Sequence, residues 1–355
     1  MPHPIVRAID VGYGEVKFSE GRDPQTKAIR TDSFPSASPA ASEQSIDRGV
    51  MQRRDTFIVQ VGERRFEVGH DIDLALHGNH ESDVLDHDFA LSDAYMARLL
   101  GAMNYMAPGL PDKRIDQLVL GLPLTTYFKH SQALAKRFSG EHAINSRGDR
   151  ISVMNCVVYP QPAGSYALFL ASQAPSIATA QPMALVVDVG YNTVDWFVCR
   201  GMKANEIRSN AANLGMSQIL RAAADKIIKE TGADASATEV ARRIDRSLKT
   251  GFPFAMYGQH FDYQPFLNAG RNVSEEAAQA IKNKVGAGTD IDVIVMTGGG
   301  VALYAQAVRS KFPKHSVILL EEPAFANVRG FHAIGEKLAQ SAQRAASLKE
   351  PANHA

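Results

Sequence analysis

Cysteine and tryptophan are almost missing from this chain, with 2 Cys and 1 Trp among 355 residues. Two cysteines cannot staple a fold together, and Cys156 and Cys199 both sit inside apolar runs, which predicts buried reduced thiols. No apolar run of about 18 residues occurs, so no transmembrane helix is expected. The opening Met1-Pro2-His3-Pro4 carries no basic region followed by an apolar stretch, so no secretory leader is expected, and a cytoplasmic setting follows. An excess of either charge is missing too: 38 Lys+Arg stand against 38 Asp+Glu. That balance argues against coating nucleic acid or an anionic membrane with bulk charge, and direct contact with either is not expected. It also lowers repulsion between identical subunits and so permits self-association. What is present is 45% hydrophobic residues, enough for a core. At roughly 100–200 residues per domain the length suggests two domains or one large α/β unit.

Strand and helix patterns alternate along the chain. Pro4 to Asp10 reads as a strand ending at Gly12-Tyr13-Gly14, and residues 35 to 48, rich in Ser, Ala and Pro, as a surface loop. Phe57 to Val61 and Arg65 to Val68 read as a hairpin about Gly62-Glu63. Tyr95, Leu99 and Met103, spaced by four, predict a helix over 93–106. Strands are predicted over 116–122 and 152–159, with helices over 131–138 and 163–171. After a composition break at 174–182 come a strand over 183–188 and helices over 214–231, 238–248 and 274–285, the last with Ser274 as its N-cap. A strand over 292–296 and a helix over 330–346 complete the pattern, which favours parallel or mixed sheets flanked by helices.

The strongest signal is a self-match. Ile9-Asp10-Val11-Gly12-Tyr13-Gly14-Glu15-Val16-Lys17-Phe18 aligns with Val187-Asp188-Val189-Gly190-Tyr191-Asn192-Thr193-Val194-Asp195-Trp196. Each copy reads as a buried strand, an Asp at its end, a Gly-bearing turn and a second strand, with Gly12 and Gly190 allowing positive φ and close backbone approach. Turn amides free of bulky side chains form concavities that take phosphate oxygens. Asp10 and Asp188 then become candidates to hold Mg²⁺, through waters, because magnesium keeps much of its hydration shell. Lys17 brings a positive charge within reach of a phosphate, whereas its counterpart Asp195 brings a carboxylate. A third element, Val293 to Ala302, is a buried strand running into Gly298-Gly299-Gly300 and a helix, where bare backbone can lie flat against a nucleotide.

Together these elements resemble the actin-like ATPase superfamily, whose five motifs run here in order. The first phosphate motif resembles residues 10–17, and the first connecting motif resembles Tyr159-Pro160-Gln161-Pro162-Ala163-Gly164. The second phosphate motif resembles residues 188–195, the adenosine motif 296–301, and the second connecting motif Ala326-Asn327-Val328-Arg329-Gly330-Phe331. Within the superfamily the chain is most similar to the ParM/StbA-type plasmid-segregation branch and to the actin-like protein D of PRTRC operons. The stretches 93–102, 120–123 and Asn213-Leu214-Gly215 carry that similarity.

The resemblance implies an α/β, actin-like (ribonuclease H-like) fold of duplicated domains with ATP in a cleft between them. The first domain would span 1–174 with a small subdomain at about 31–90. The second would span 175–340 with a small subdomain at about 222–290, leaving a tail at 341–355. It implies a filament-forming ATPase using ATP and Mg²⁺, whose partners are other copies of itself and a DNA-binding adaptor. Gly12, Tyr13, Gly14 and Lys17 would contact nucleotide, as would Gly190, Tyr191, Asn192, Thr193, Gly215 and Gly298 to Gly300. Asp10, Asp188 and Asp195 would be catalytic together with Gln161, with Asp10 and Asp188 at the metal. ParM-type proteins often carry Glu where Gln161 stands, while conventional actins carry Gln; a Gln orients water but cannot act as a carboxylate base.

Two rival readings are a small-molecule kinase or phosphatase of this fold, for which no dedicated motif is found, and a nucleotide-regulated binding module that never polymerises. The His/Asp-rich stretch 70–88 matches no compact ligand spacing and is read as a solvated polar loop rather than a metal site. Arg242, Arg243, Arg246 and Lys249, interleaved with Glu239 and Asp245, are read as a solvated helix face.

Overall fold

A computed structural model of the chain describes residues 3–41, 52–76, 89–174, 176 and 180–347. Among these, 3–76, 89–174 and 325–347 form one compact unit and 180–324 the other.

In unit 1 the strand pattern becomes a five-stranded sheet. Its strands are β1 (Val6–Val11), β2 (Glu15–Arg22), β3 (Ile29–Pro35), β6 (Gln117–Leu122) and β7 (Cys156–Pro160), in the order β7-β6-β1-β2-β3. The hairpin β4 (Thr56–Val61) and β5 (Arg64–Gly69) turns at Gly62, whose φ is +59°, as the Gly62-Glu63 signal predicts. β1 is buried at every residue, which is why its sequence reads as a continuous apolar run. Alternation still decides its neighbours: Ile9, Val11, Leu118 and Leu120 share a core with Leu99 and Met103 of α1 (Asp93–Met106). Ala8 and Val119 face instead the core built on Val328, Phe331 and Ile334. Helix α1 starts where expected, with Ser92 Oγ accepting from the Tyr95 amide at 3.1 Å. Helix α2 (Leu124–Arg137) begins directly after Pro123 and is longer than the 131–138 expected, because proline suits the residue just outside a helix. The single strand expected over 152–159 divides into Arg150–Val153 in a small separate sheet and β7 in the main one, broken at Met154-Asn155.

Unit 2 repeats the plan. A six-stranded sheet runs through β8 (Met183–Val189), β9 (Val194–Arg200), β10 (Lys203–Ala204), β11 (Asn210–Ala212), β12 (Val293–Thr297) and β13 (Val317–Leu319). The order is β10-β9-β8-β12-β13, with β11 also on β9. In each sheet the first strand pairs antiparallel with the next in sequence on one side and parallel with a later strand on the other. One face packs on α4 (Met216–Thr231), α5 (Ala237–Thr250), α6 (Arg271–Val285) and α7 (Val301–Lys311). Ser274 is not the N-cap of α6. Three residues precede it in the helix, its hydroxyl donates to Arg271 O at 2.9 Å, and Gly270 occupies the cap position.

The last helix, α8 (Ala326–Ser347), corrects the expected boundary. Residues 325–340 were expected in the second domain, yet α8 packs on α3 (Gln161–Ser172) and on β1 and β6 of unit 1. Two devices fasten it. Arg22 grips Glu336 with two 2.7 Å hydrogen bonds, and Ser19 Oγ, which accepts from Ala8 N, lies 2.8 Å from Nδ1 of His332. Burial alone would raise Glu336, but hydrogen bonds from His332 and Arg22 outweigh it and hold the carboxyl down to about 2. The second device is a glycine crossing: a Cβ on Gly330 would stand 1.7 Å from Gly164 O, and one on Gly164 2.5 Å from Asn327 O.

No helix among the described residues is long and apolar enough to cross a membrane. Cys156 and Cys199 are buried and free, and burial pushes the Cys156 thiol up to about 12.

Gly330→Ala is expected to destabilise the chain by about 3 kcal/mol, because the helices must separate to admit a methyl group. Gly299→Ala, with nothing within 4 Å of the added carbon, is the control and is expected to change stability by less than about 0.5 kcal/mol. Urea unfolding midpoints of the two variants check this.

Candidate functional site

The two copies of the repeat fold into two hairpins of the same register. Asp10 stands opposite Lys17 and Val11 opposite Val16; Asp188 stands opposite Asp195 and Val189 opposite Val194. The turns close alike, with Gly12 N donating to Glu15 O and Gly190 N to Thr193 O, both at 2.9 Å. Of the two reasons expected for glycine, close backbone approach holds and positive φ does not. Neither Gly12 nor Gly190 has a positive φ. A Cβ would instead lie 3.0 Å from Glu15 O in the first turn and 3.1 Å from Thr193 O in the second, so glycine is required by closeness across the turn.

In unit 1, Asp10 is buried, and burial pushes its carboxyl above the usual range against the pull of Lys17, Gln161 and Asn327. Gln161, the first residue of α3, donates its Nε2 to Asp10 Oδ1 at 2.6 Å. Asn327 hydrogen-bonds Asp10 from α8, and its own Oδ1 accepts from Ser165 Oγ at 2.5 Å. The polar site of unit 1 is therefore Asp10, Lys17, Gln161, Asn327 and Ser165. The last two were not singled out from sequence, although Asn327 lies within the quoted second connecting motif. The signal was there: Asn327 and Ser165 are polar residues inside apolar helix faces. At the first turn, Gly14 O accepts from Ser36 N at 3.0 Å. Beside Val11, Gly12 and Tyr13 lies a small recess lined also by Phe89, Tyr95 and Leu122.

In unit 2, Asp188, Thr193 and Asp195 are buried, and Thr193 Oγ1 donates to Asp195 Oδ2 at 2.7 Å. The second turn is braced by backbone. Gly215 N donates to Asn192 O, Met216 N to Gly190 O and Ser217 N to Tyr191 O, at 3.0, 3.1 and 2.7 Å. These are donors at the start of α4 that the helix itself cannot satisfy. Gly215 thus supports the turn, since a Cβ there would lie 2.4 Å from Asn192 C. Lys249, paired with Asp245 at 2.7 Å, lies 6.0 Å from the Tyr191 ring. The three consecutive glycines divide in role. Gly298 has φ +91°, and a Cβ would stand 2.4 Å from Asp188 Oδ1; Gly300 donates to Val189 O at 3.0 Å. Both are buried against the second hairpin, and only Gly299 is exposed. Arg243 pairs with Glu239 and donates to Ala255 O; Arg243, Arg246 and Lys249 are exposed, but Asp245 is buried, so the face expected to be solvated is solvated only in part.

Of the His/Asp-rich stretch, residues 77–88 lie outside the described residues. Among the described residues no group of three or more His, Cys, Asp or Glu could hold a metal ion. His70 is instead a clasp, with Nδ1 2.8 Å from Asp55 Oδ2, Nε2 3.2 Å from Asp32 Oδ2 and its ring 4.3 Å from that of Tyr105. The hydrogen bond to Asp32, with that to Asp55, raises His70 to about 9 against the effect of burial.

Two family patterns match the chain: "Actin like proteins N terminal domain" over residues 8–164 and "Archaeal actin homologue MreB-like, C-terminal" over 186–310. No curated protein matches it at the sequence level. Solved structures share the fold. The archaeal actin homologue Ta0583 is 20% identical at a TM-score of 0.72, with 94% of this chain and 99% of that one covered, and it has also been solved in complex with ADP. A 15-stranded ParM filament from Clostridium botulinum is 19% identical at 0.66, covering 95% and 100%. Bacillus thuringiensis ParM with AMPPNP is 14% identical at 0.65, covering 96% and 100%.

The His70 clasp predicts a pH dependence. A histidine raised from 6.5 to about 9 stabilises the fold fully below pH 6.5, and that contribution is lost as pH rises through about 9. With nearly a third of the side chain exposed, solvent screening reduces the effect to roughly 1–2 kcal/mol. Urea titrations at pH 6.5 and 9.5 on the chain and on His70→Gln are expected to show the extra loss only where His70 is present.

Proposed function

Because this chain is an actin-like protein, we propose that it is a nucleotide-dependent, filament-forming ATPase of the ParM type, serving plasmid segregation through a separate DNA-binding adaptor. The observation that carries this reading is the repeated Asp-Gly hairpin with the Gln161 amide held on Asp10 at 2.6 Å. The relatives solved with ADP and AMPPNP support a nucleotide as ligand, and the relative solved as a ParM filament supports self-assembly.

The backbones of Gly12–Gly14 and Gly190–Thr193 bind phosphate oxygens, and Lys17 offsets their charge. The residues fit Mg²⁺: two buried carboxylates, Asp10 and Asp188, offer hard oxygen donors. Either carboxylate would take the ion through waters, and the ion, when bound, neutralises phosphate charge. Gln161 has its Nε2 committed to Asp10, which leaves Oε1 as an acceptor for an O–H of the attacking water. It orients that water and takes no proton, as in small GTPases. Asp195, held by Thr193, assists proton transfer. The exposed backbone of Gly299 meets the nucleoside. Little covalent chemistry is asked of the protein; positioning and charge compensation carry the rate. The γ-phosphate favours the polymerising conformation and its loss weakens it, by no more than the difference in nucleotide affinity between the two states.

Gln161→Ala is expected to lower ATP turnover roughly 100-fold while leaving ATP binding nearly unchanged. Phosphate release and fluorescent-nucleotide titration compare the two quantities, and equal turnover in the variant removes the role assigned to Gln161. Sedimentation is expected to pellet the chain with ATP and not with ADP. No pelleting with any nucleotide sinks the filament reading.

A further inference from the structure

The hydrogen bonds about Asp10 run in one direction. Ser165 Oγ donates to Asn327 Oδ1 at 2.5 Å, which leaves the Asn327 amide N–H to donate to the Asp10 carboxylate. Gln161 Nε2 donates to the same carboxylate from the other helix. All four residues are buried, so each donor is costly to leave unmade. The two helices meet through matching spacings. Gln161, Gly164 and Ser165 sit at i, i+3 and i+4 on α3, and Asn327, Gly330 and Phe331 do the same on α8. The glycines of the two rows touch, and this contact brings the Asn327 side chain within hydrogen-bond reach of both Ser165 and Asp10.

We infer that Asn327 is a positioning residue for ATP hydrolysis: it fixes the Asp10 carboxylate, and through it the orientation of the Gln161 amide. The inference rests on the hydrolysis reading above. Its physical content lies in what the Gln161 amide is prevented from doing. With Asp10 held by donors from two helices, turning the amide over would set Gln161 Oε1 against a carboxylate oxygen, acceptor to acceptor. The amide therefore stays with Nε2 on Asp10 and Oε1 available to water. With Asn327 removed, the carboxylate keeps one amide donor and can rotate, and Gln161 rotates with it. Ser165 does the same for Asn327 one step further out, because its hydroxyl is what commits Oδ1. Asn327 lies in the first turn of α8, so the C-terminal helix contributes to the site as well as to the stability of unit 1.

The test uses the full chain, with wild type, Asn327→Ala, Ser165→Ala, Gln161→Ala and the Asn327→Ala/Gln161→Ala double variant. Phosphate release gives kcat and KM for ATP, titration with a fluorescent ADP analogue gives affinity, and thermal unfolding checks the fold. Asn327→Ala is expected to lower kcat roughly 10- to 100-fold while KM and ADP affinity stay within about twofold. Added to Gln161→Ala, it is expected to lower kcat by less than about threefold more, because the group it positions is already gone. Ser165→Ala is expected to lower kcat a few-fold with KM unchanged. A folded Asn327→Ala variant with wild-type kcat overturns the inference, as does a double variant whose losses multiply in full. If Asn327→Ala fails to fold, Ser165→Ala decides, and an unchanged kcat there overturns it. A wild-type chain that releases no phosphate from ATP overturns the hydrolysis reading itself, a failure seen without any variant.

Discussion

A single buried carboxylate organises unit 1. Asp10 ends a strand buried at every residue, and a carboxylate there is tolerated only if its oxygens find donors or a counter-charge. No one neighbouring element supplies them all. Lys17 comes from the paired strand, Gln161 from the start of α3 and Asn327 from the start of α8. The strand beside it must also stay clear, and Gly121 does so: a Cβ there would stand 2.9 Å from Asp10 Oδ1. The close passage of α3 over α8 at Gly164 and Gly330 follows from the same demand, since a wider crossing would draw Asn327 away. The Arg22–Glu336 and Ser19–His332 contacts then hold the far side of α8 to the sheet.

The two hairpins share a register and differ in what supports them. In unit 1 the Asp is held chiefly by side chains from helices and by a lysine. In unit 2 the position across from the Asp is another carboxylate, Asp195, which accepts from Thr193, and the turn is held by three backbone donors at the start of α4. Two carboxylates in one cross-strand row are unfavourable without a counter-charge. The two copies share a register and differ at this cross-strand position, Lys17 in one and Asp195 in the other.

Much of this was legible in the sequence. Helix α1, the Gly62 hairpin and the alternation of strands and helices follow from local rules of period, cap and turn, and the structure keeps them. The departures have physical causes. The glycines of the two repeated turns answer close approach across the turn rather than positive φ, two demands that look the same in a sequence. Ser274 lies at a plausible cap position, but the helix begins three residues earlier because Arg271 to Val273 continue the buried face with Val273. Gly298 and Gly300 read like Gly299, yet two of the three are spent on packing against the second hairpin and one is exposed.

What the sequence determined by itself was the repeat and its register. A strand, a two-sided turn and a returning strand are close in the chain, and a period of two leaves one pairing that buries both apolar rows. What only the tertiary structure decided was which residues surround Asp10 and which unit owns the last helix. Asn327 and Ser165 are 162 residues apart, and no local rule relates them. They meet because two helices carry a glycine at the same spacing and can approach until their backbones touch. That is a property of the packed pair and of neither helix alone.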